Sequence, residues 1–281
     1  MDKETYQEIS DHDLNRALEA HYHHLRTKRK EGRCLDLRHY DLHGRNFHNF
    51  AFDGALLAGA NLQGCHFRNC SFTYTDLSDV RADYATFDNC TFTFANLEHA
   101  SMHETQHRRT IYDNVNFNHV RMDQSFHDSS EFRFCTGNHF DLSSSSFIGS
   151  RFSQGVFETI DLHDTAMDGT YLDSTSMYDA DTTRLHLDSA ILKNMKDFPI
   201  LQAGPIPSTG QTSFYVAYNY EKDEVSCREL LGNRMTTLNK FRDTIRREKM
   251  MPLTKLFLKE SFKVFDAARE QANQKHPISS R

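Results

Sequence analysis

GANLQGCHFRNCSFTYTDL, residues 59–77, places a large apolar side chain at every fifth position: Leu62, Phe67, Phe72 and Leu77. A helix repeats every 3.6 residues and a strand every two, so neither produces this period. Stepping by five in both directions keeps the register from Leu37 to Leu192 without an insertion. The exceptions along the way are Ala82, His107, His127, Gly137 and Thr182. Two residues before each large side chain stands a small one, as in Ala60, Cys65, Cys70, Thr75, Val80 and Ala85. From 55 onward that slot is enlarged only at Phe140, Ile160 and Leu185. The two residues after each large one are mostly polar, Gly or Asn, which suits turns.

A step of 20 sorts the large residues by kind. Leu37, Leu57, Leu77 and Leu97 form one row, and Leu42, Leu62, Met102, Met122, Leu142 and Leu162 another. Phe47, Phe67 and Phe87 form a third, and Phe52, Phe72, Phe92, Tyr112, Phe132 and Phe152 a fourth. This reads as a square coil of four five-residue sides, with like side chains stacked on successive coils. Thirty-two sides make about eight coils, and at ~4.8 Å per coil the rod is roughly 38 Å long.

The stretches GANLQ (59–63), TDLSD (75–79) and ANLEH (95–99) resemble the A(D/N)LXX unit of the pentapeptide-repeat family. The resemblance covers residues 35–192 and implies a mainly β fold, a right-handed quadrilateral β-helix. The family includes topoisomerase-binding DNA mimics and secreted effectors, so the resemblance specifies fold more closely than function. One departure is local. The first small slots hold Leu35, Tyr40, Arg45 and Phe50, so the first coil is expected to be irregular or capped.

The flanks divide the chain further. Residues 1–34 read as a helical N-terminal cap, with Ser10 or Asp11 starting a helix and Ile9, Leu14, Leu18 and Leu25 facing the first coil. No catalytic role is read for His21, His23 or His24. Residues 193–281 read as a small α+β module. KDFPILQAGPIPSTG is a crossing loop, QTSFYVAYNY a strand, EKDE a turn and VSC the start of a return strand. Thr236 or Thr237 caps a helix bearing Leu238, Phe241 and Ile245, and Pro252 opens a last helix carrying Leu253, Leu256, Phe257, Phe262 and Phe265. The order GPIPSTG, hairpin, helix resembles a module that follows pentapeptide stretches in some bacteriophage proteins, which implies a phage origin.

Charge is unevenly placed. The net −6 of the chain comprises 0 over residues 1–34, −12 over 35–192 and +6 over 193–281. No apolar run is long enough to span a bilayer and the first residues lack a secretory h-region, so a cytoplasmic protein is expected. Four of the six cysteines (Cys65, Cys70, Cys90, Cys135) fill the small slot, and no CxxC spacing exists. His107 and His127 take places in the Phe47 row, and His99, His119 and His139 line one outward corner. Satisfied core and surface histidines are the reading for both sets, and neither metal nor cofactor is expected. No nucleophile–base pair, carboxylate pair or phosphate loop stands out, so the chain is read as non-enzymatic.

Candidate contact residues are therefore surface ones. Glu158, Asp161, Asp164, Asp168, Asp173, Asp179, Asp181 and Asp188 crowd one end of the solenoid with Arg184 as the one base among them. They call for a basic partner: either the chain's own tail, through Arg242, Arg246, Arg247 and Lys249, or a DNA-binding groove on another protein. Tyr74, Phe94 and Phe134 form an exposed aromatic row, interrupted by Asn114. The expected function is a protein-binding scaffold that inhibits a host DNA-acting enzyme, such as a topoisomerase, or a defence complex. The alternative is a secreted or intracellular adaptor acting through its C-terminal module, and a metal-dependent enzyme comes last. A homodimer fits the aromatic row, and direct binding of nucleic acid is not expected from the acidic middle.

Overall fold

A computed structural model describes residues 6–167, 169–187, 190–206, 214–220, 222–231, 234–247, 250 and 252–275. The five-residue sides form a quadrilateral solenoid in which each residue lies over the one 20 positions later. One column runs Asn46, His66, Thr86, Gln106, Phe126, Ser146, Ala166 and His186, seven coil-to-coil steps from first to last. The four faces are named here by a central residue: Leu42, Phe47, Phe52 and Leu57. The Phe47 and Phe52 faces are each six-stranded parallel sheets of three-residue strands, and the Leu57 face carries a three-stranded sheet near its far end. On the Leu42 face the coils meet only through single-residue bridges, Asp41 to Asn61 and onward to Asp181.

The interior follows from the two slots. Large residues stack by kind: Phe47, Phe67 and Phe87 lie 5.2 and 5.0 Å apart with nearly parallel rings. The row from Phe52 to Phe152 steps by 4.5 to 5.0 Å. Hydroxyls and thiols in the small slot donate to the carbonyl 23 residues earlier, as Thr75 does to Phe52, Thr110 to Phe87, Cys135 to Tyr112 and Thr170 to Phe147. Ala, Cys, Ser and Thr recur there because they fit the crowded interior and, where polar, satisfy themselves against the coil below. At each corner among the described residues the second turn residue has positive φ, which explains the Gly and Asn in the pattern.

Where the period fails, volume is exchanged. Gly137 occupies a large slot, and a Cβ there would lie 3.2 Å from Phe117 Cβ and 3.3 Å from Phe157 Cδ1. Three residues on, Phe140 fills a small slot, fully buried and stacked 4.7 Å from Phe117. The two departures compensate each other.

The first coil is capped. Helix α1 (Asp11–Arg26) starts at Ser10, whose side chain accepts from Asp13 N–H, and buries Leu14 and His21. Ile9 and Leu18 pack on the same core. Leu35, Tyr40, Arg45 and Phe50 are large because no earlier coil crowds them. Leu35 donates its N–H to His21 Nδ1 at 3.0 Å, and Arg45 reaches Asp11 and the Ile9 carbonyl. Gln7 pairs with the open backbone beside Tyr40, donating to His39 O and accepting from Asp41 N–H, so the solenoid edge is closed.

The far end is closed by a hairpin, Ile200–Ile206 against Phe214–Asn219, with Glu224–Ser226 beside it. Ile200–Ile206 thus forms a strand where the sequence reads as a crossing loop, while the rest of GPIPSTG lies outside the described residues. The strand is required because the last coils expose backbone and side chains that need partners. Gln202 spans Leu192 N–H and Ala190 O, and Asn219 donates to Thr182 Oγ1 at 2.6 Å. Phe198, Ile200 and Ala217 join the solenoid core. Behind the hairpin, α2 (Arg228–Leu231), α3 (Leu238–Arg247) and α4 (Pro252–Lys275) build a second core around Val216, Tyr218, Leu238, Phe241, Ile245, Leu258 and Phe265. Leu256 and Phe257 of α4 are exposed and do not face that core.

Replacing Phe140 with Ala should destabilise the fold by about 3–5 kcal/mol, read from urea unfolding. Gly137→Leu alone should also destabilise, whereas Gly137→Leu in the Phe140→Ala background should recover part of the loss. Additive losses in the double variant would sink the volume-exchange account.

Candidate functional site

The register sorts charge by face. The Leu42 face bears Asp41, Asp83, Glu104, Asp123, Asp141, Asp161, Asp164 and Asp181 against Arg81, Arg121 and Arg184. The adjoining Leu57 face bears Asp36, Asp76, Asp79, Glu98, Glu158 and Asp179 against Arg38. Each face carries net −5, so two adjacent faces hold −10 of the solenoid's −12. They meet along a corner where His99, His119 and His139 stack 4.8 and 5.2 Å apart. In sequence the acids crowd one end, between residues 158 and 188. The coil geometry shows an acidic half that runs the length of the rod.

This arrangement regroups the predicted contact residues. Glu158, Asp161, Asp164, Asp179 and Asp181 lie on the two acidic faces. Asp173 lies on the Phe52 face, where Ser174, Asn194 and Lys193 hold its carboxylate down toward lower pKa. Asp168 lies outside the described residues. The three aromatic side chains line the corner between the Phe52 and Leu57 faces, bordering the acidic surface. Tyr74 and Phe94 stack at 5.1 Å, and the exposures of Tyr74, Phe94 and Phe134 are 61%, 49% and 48%. Tyr84, not singled out by sequence, is 55% exposed on the opposite border beside His103.

These aromatics occupy the left-handed turn position, with φ between 52° and 64°. That conformation costs a side-chain-bearing residue on the order of 1 kcal/mol, and a bulky one is uncommon there. Gly54 starts the same corner column, and Gly44 and Gly64 start that of Tyr84. Exposed rings on strained corners do nothing for the core, so the contact they offer is outward. Below Tyr74, Gly54 leaves an open pocket of about 570 Å³ lined also by His24, Arg29, Cys34 and Asp53.

The acidic end is partly answered within the chain, by different residues from those expected. Lys222 Nζ, from the hairpin turn, lies 2.8 Å from Asp181 Oδ1. Burial pushes the Asp181 carboxyl up, but Lys222 and Thr183 more than offset this and hold it well below the usual range. Arg184 forms a two-point pair with Asp164. Arg242 and Arg246 do not dock there: they pair with Asp266 and Asp243 inside the module. Lys249 lies outside the described residues. His163, bonded to Asp161 at 2.7 Å, has its pKa raised mainly by that bond. Asp161, His163 and Asp181 form the one compact group of three metal-type ligands among the described residues, with the Lys222 ammonium already beside it.

The interior histidines are core residues. Thr105 donates to Met102 O, so it must accept from His107 Nε2–H, which leaves His107 Nδ1 to accept from Tyr112 at 2.8 Å. Ser125 donates to Met122 O and likewise accepts from His127 Nε2–H. One coil on, Phe132 replaces Tyr112, so His127 Nδ1 has no partner. Burial lowers the pKa of His107 to about 3 and that of His127 well below its usual value, with His107 adding to the shift at His127. Both imidazoles are neutral and sealed, and Cys65 and Cys135 are pushed up to about 12 by burial. None of these groups reaches solvent.

Residues 52–106 match the pentapeptide repeats family model. No curated protein matches. Among solved structures, the chain is similar to a trypsin-treated form of QnrB1, a plasmid-mediated fluoroquinolone resistance protein, at 15% identity. That match covers 58% of this chain and 91% of the other, with a TM-score of 0.29. HetL, a pentapeptide repeat protein involved in heterocyst differentiation regulation from Nostoc sp. strain PCC 7120, matches at 14% identity over 63% of this chain and 91% of its own, TM-score 0.27. Among the described residues no helix is long and apolar enough to cross a membrane.

The two buried imidazoles carry a pH prediction. Their folded pKa values lie below that of an unfolded histidine, so they leave stability unaffected above pH ~6.5 and reduce it as pH falls below that. At pH ~5 each should cost about 2 kcal/mol. His127→Phe, which continues the ring stack, should remove its own share, about 2 kcal/mol, of the stability lost between pH 7.5 and pH 5, while buried His21 keeps a further share. Phe132→Tyr should supply the missing donor and stabilise the neutral-pH fold by about 1 kcal/mol. An unchanged slope in His127→Phe would refute the assignment.

Proposed function

We propose that this chain, a pentapeptide-repeat protein, is a non-catalytic scaffold that occupies and inhibits the basic nucleic-acid groove of a DNA-acting enzyme or defence complex. The observation that carries the reading is the gathering of −10 on two adjacent faces bordered by exposed aromatics. Over seven coil steps of ~4.8 Å the solenoid is ~34 Å long, and B-DNA of that length carries roughly 20 phosphates. Half that charge, confined to one side of a rigid rod, attracts and orients a basic cleft without reproducing the duplex.

Rigidity favours the same reading. The acidic side chains stand on a backbone paired coil to coil, so little ordering entropy is lost on docking. The aromatic border supplies apolar area at the rim of a charged contact, where specificity beyond sign is set. A bacterial type II topoisomerase is the partner class to test first, since it holds DNA in such a groove.

The test removes charge by face. Asp79→Asn, Glu98→Gln, Glu158→Gln and Asp179→Asn take the Leu57 face from −5 to −1, and Asn suits the left-handed corners at 79 and 179. Asp88→Asn, Asp113→Asn, Asp128→Asn and Glu131→Gln remove the same charge from the other two faces. In nuclease-treated bacterial lysate, wild type should capture a DNA-handling enzyme that added duplex DNA displaces. Binding should weaken at least roughly tenfold between about 50 and 200 mM salt. The first variant should lose that enzyme and the second keep it. Equal loss in both, or a captured partner that DNA does not displace, would overturn the proposal.

A further inference from the structure

The C-terminal module carries a second charged site of opposite sign. Between α3 and α4 lies an open groove of about 530 Å³. Arg242 and Arg246 line it from α3, and Lys255, Lys259 and Lys263 from α4. Both sets are spaced by four, so each forms a rail along one helix face, and the α4 rail is ~12 Å long. Asp266 is the one acid in the lining. Phe262 forms part of the wall, and the Arg242 guanidinium lies 5.1 Å over its ring.

The cations differ in how they are held. Arg242 is fixed by Asp266 and the Phe262 carbonyl, Arg246 pairs with Asp243, and Lys263 pairs with Glu260. Lys255 and Lys259 have no ion pair among the described residues. Among the described residues only two of the module's cations pair with solenoid acids, Lys193 with Asp173 and Lys222 with Asp181, so most of its +6 does not neutralise the solenoid.

We infer that this groove binds the phosphodiester backbone of a nucleic acid. Two cation rails flanking a trough match a linear polyanion. Arg242, held over the Phe262 ring by Asp266 and the Phe262 carbonyl, is a fixed positive charge on one wall, and the unpaired lysines Lys255 and Lys259 act as flexible point charges for phosphate oxygens on the other. A flat anionic bilayer fits less well. Of the exposed apolar residues on α4, Leu256 borders the lysine rail, but Phe257 and Val264 stand on the opposite side, so the rail and the apolar set do not share one flat face. The lining has no base-reading arrangement, so binding is independent of sequence. The site revises the expectation drawn from the acidic middle, which said nothing about how the basic tail folds. It is separate from the acidic faces, and either proposal can fail alone.

The experiment is fluorescence anisotropy of full-length protein with fluorescein-labelled single-stranded and duplex DNA of about 20 nucleotides or base pairs. Wild type should bind at low salt, with a log–log salt slope of about −3 to −4 on duplex, as four phosphate contacts require. Lys255→Glu with Lys259→Glu should weaken binding at least tenfold, and the Gln pair should weaken it by a smaller factor. The Leu57-face variant should not weaken it. Both lysines lie outside the module core, and circular dichroism will show that the variants are folded. Absence of binding to either probe, or binding unchanged in the Glu pair, would overturn the inference. So would a Glu pair that abolishes only attachment to phosphatidylserine vesicles, or only self-association in sedimentation.

Discussion

Every feature of this solenoid depends on one constraint: each side chain lies within ~4.8 Å of its counterpart 20 residues away. Backbone hydrogen bonds between coils impose that spacing, and the interior must then be filled by rows that can stack on themselves. Planar rings do this at 4.5 to 5.2 Å, which is why Phe and Tyr hold two of the four interior rows. The same constraint works on the surface. Like charges in one column stand close together all along the rod, and a face that accumulates them has no interior means of spreading them out. Some columns alternate sign, as with Arg68, Asp88, Arg108 and Asp128. The two acidic faces mostly do not.

That difference separates stability from function. A fold selected only for stability would alternate charge and place Gly or Asn at its left-handed corners. This one keeps a net acidic excess on adjacent faces, despite pairs such as Arg184–Asp164, and aromatic rings at strained corners beside them. Both features oppose local stability, and both point outward. The interior shows the reverse tendency, with nearly every departure answered. Phe140 refills the space left at Gly137, and Tyr112 satisfies His107. His127 is the place where the answer is missing, and it lies one coil beyond the Tyr that would supply it.

The repeat made most of the fold legible from sequence, because register over so many sides is a long-range signal carried by local spacing. From it follow the rows, the small-slot cysteines and the closure of the first coil beneath α1. The limits have physical causes. Ile200–Ile206 looks like a loop because its Gly and Pro break the strand pattern, and its role comes from the Asn219 and Gln202 contacts that close the last coil. The exposure of Leu256 and Phe257 depends on the packing direction of α4, which an apolar count does not contain. The acidic site was half legible. A cluster between 158 and 181 is visible in the letters, but five residues of sequence turn a corner, so linear proximity mixes faces. Asp173 and Asp161 are neighbours in sequence and stand on opposite sides of the rod.

Charge segregation is also why the two ends of the chain should be considered together. Among the described residues two ion pairs, Lys222–Asp181 and Lys193–Asp173, join the basic module to the acidic rod, while Arg242 and Arg246 are held by the module's own acids and Lys255 and Lys259 stand unpaired along α4. Had the tail evolved as a counterion for the solenoid, its arginines would meet the acidic faces. Instead they are pre-positioned around a groove of their own. A rod that presents negative charge to a nucleic-acid-handling protein and a module that presents positive charge to the nucleic acid would meet at one location, where enzyme and DNA are both present. Opposite charges kept apart within one chain serve two partners better than either serves the other.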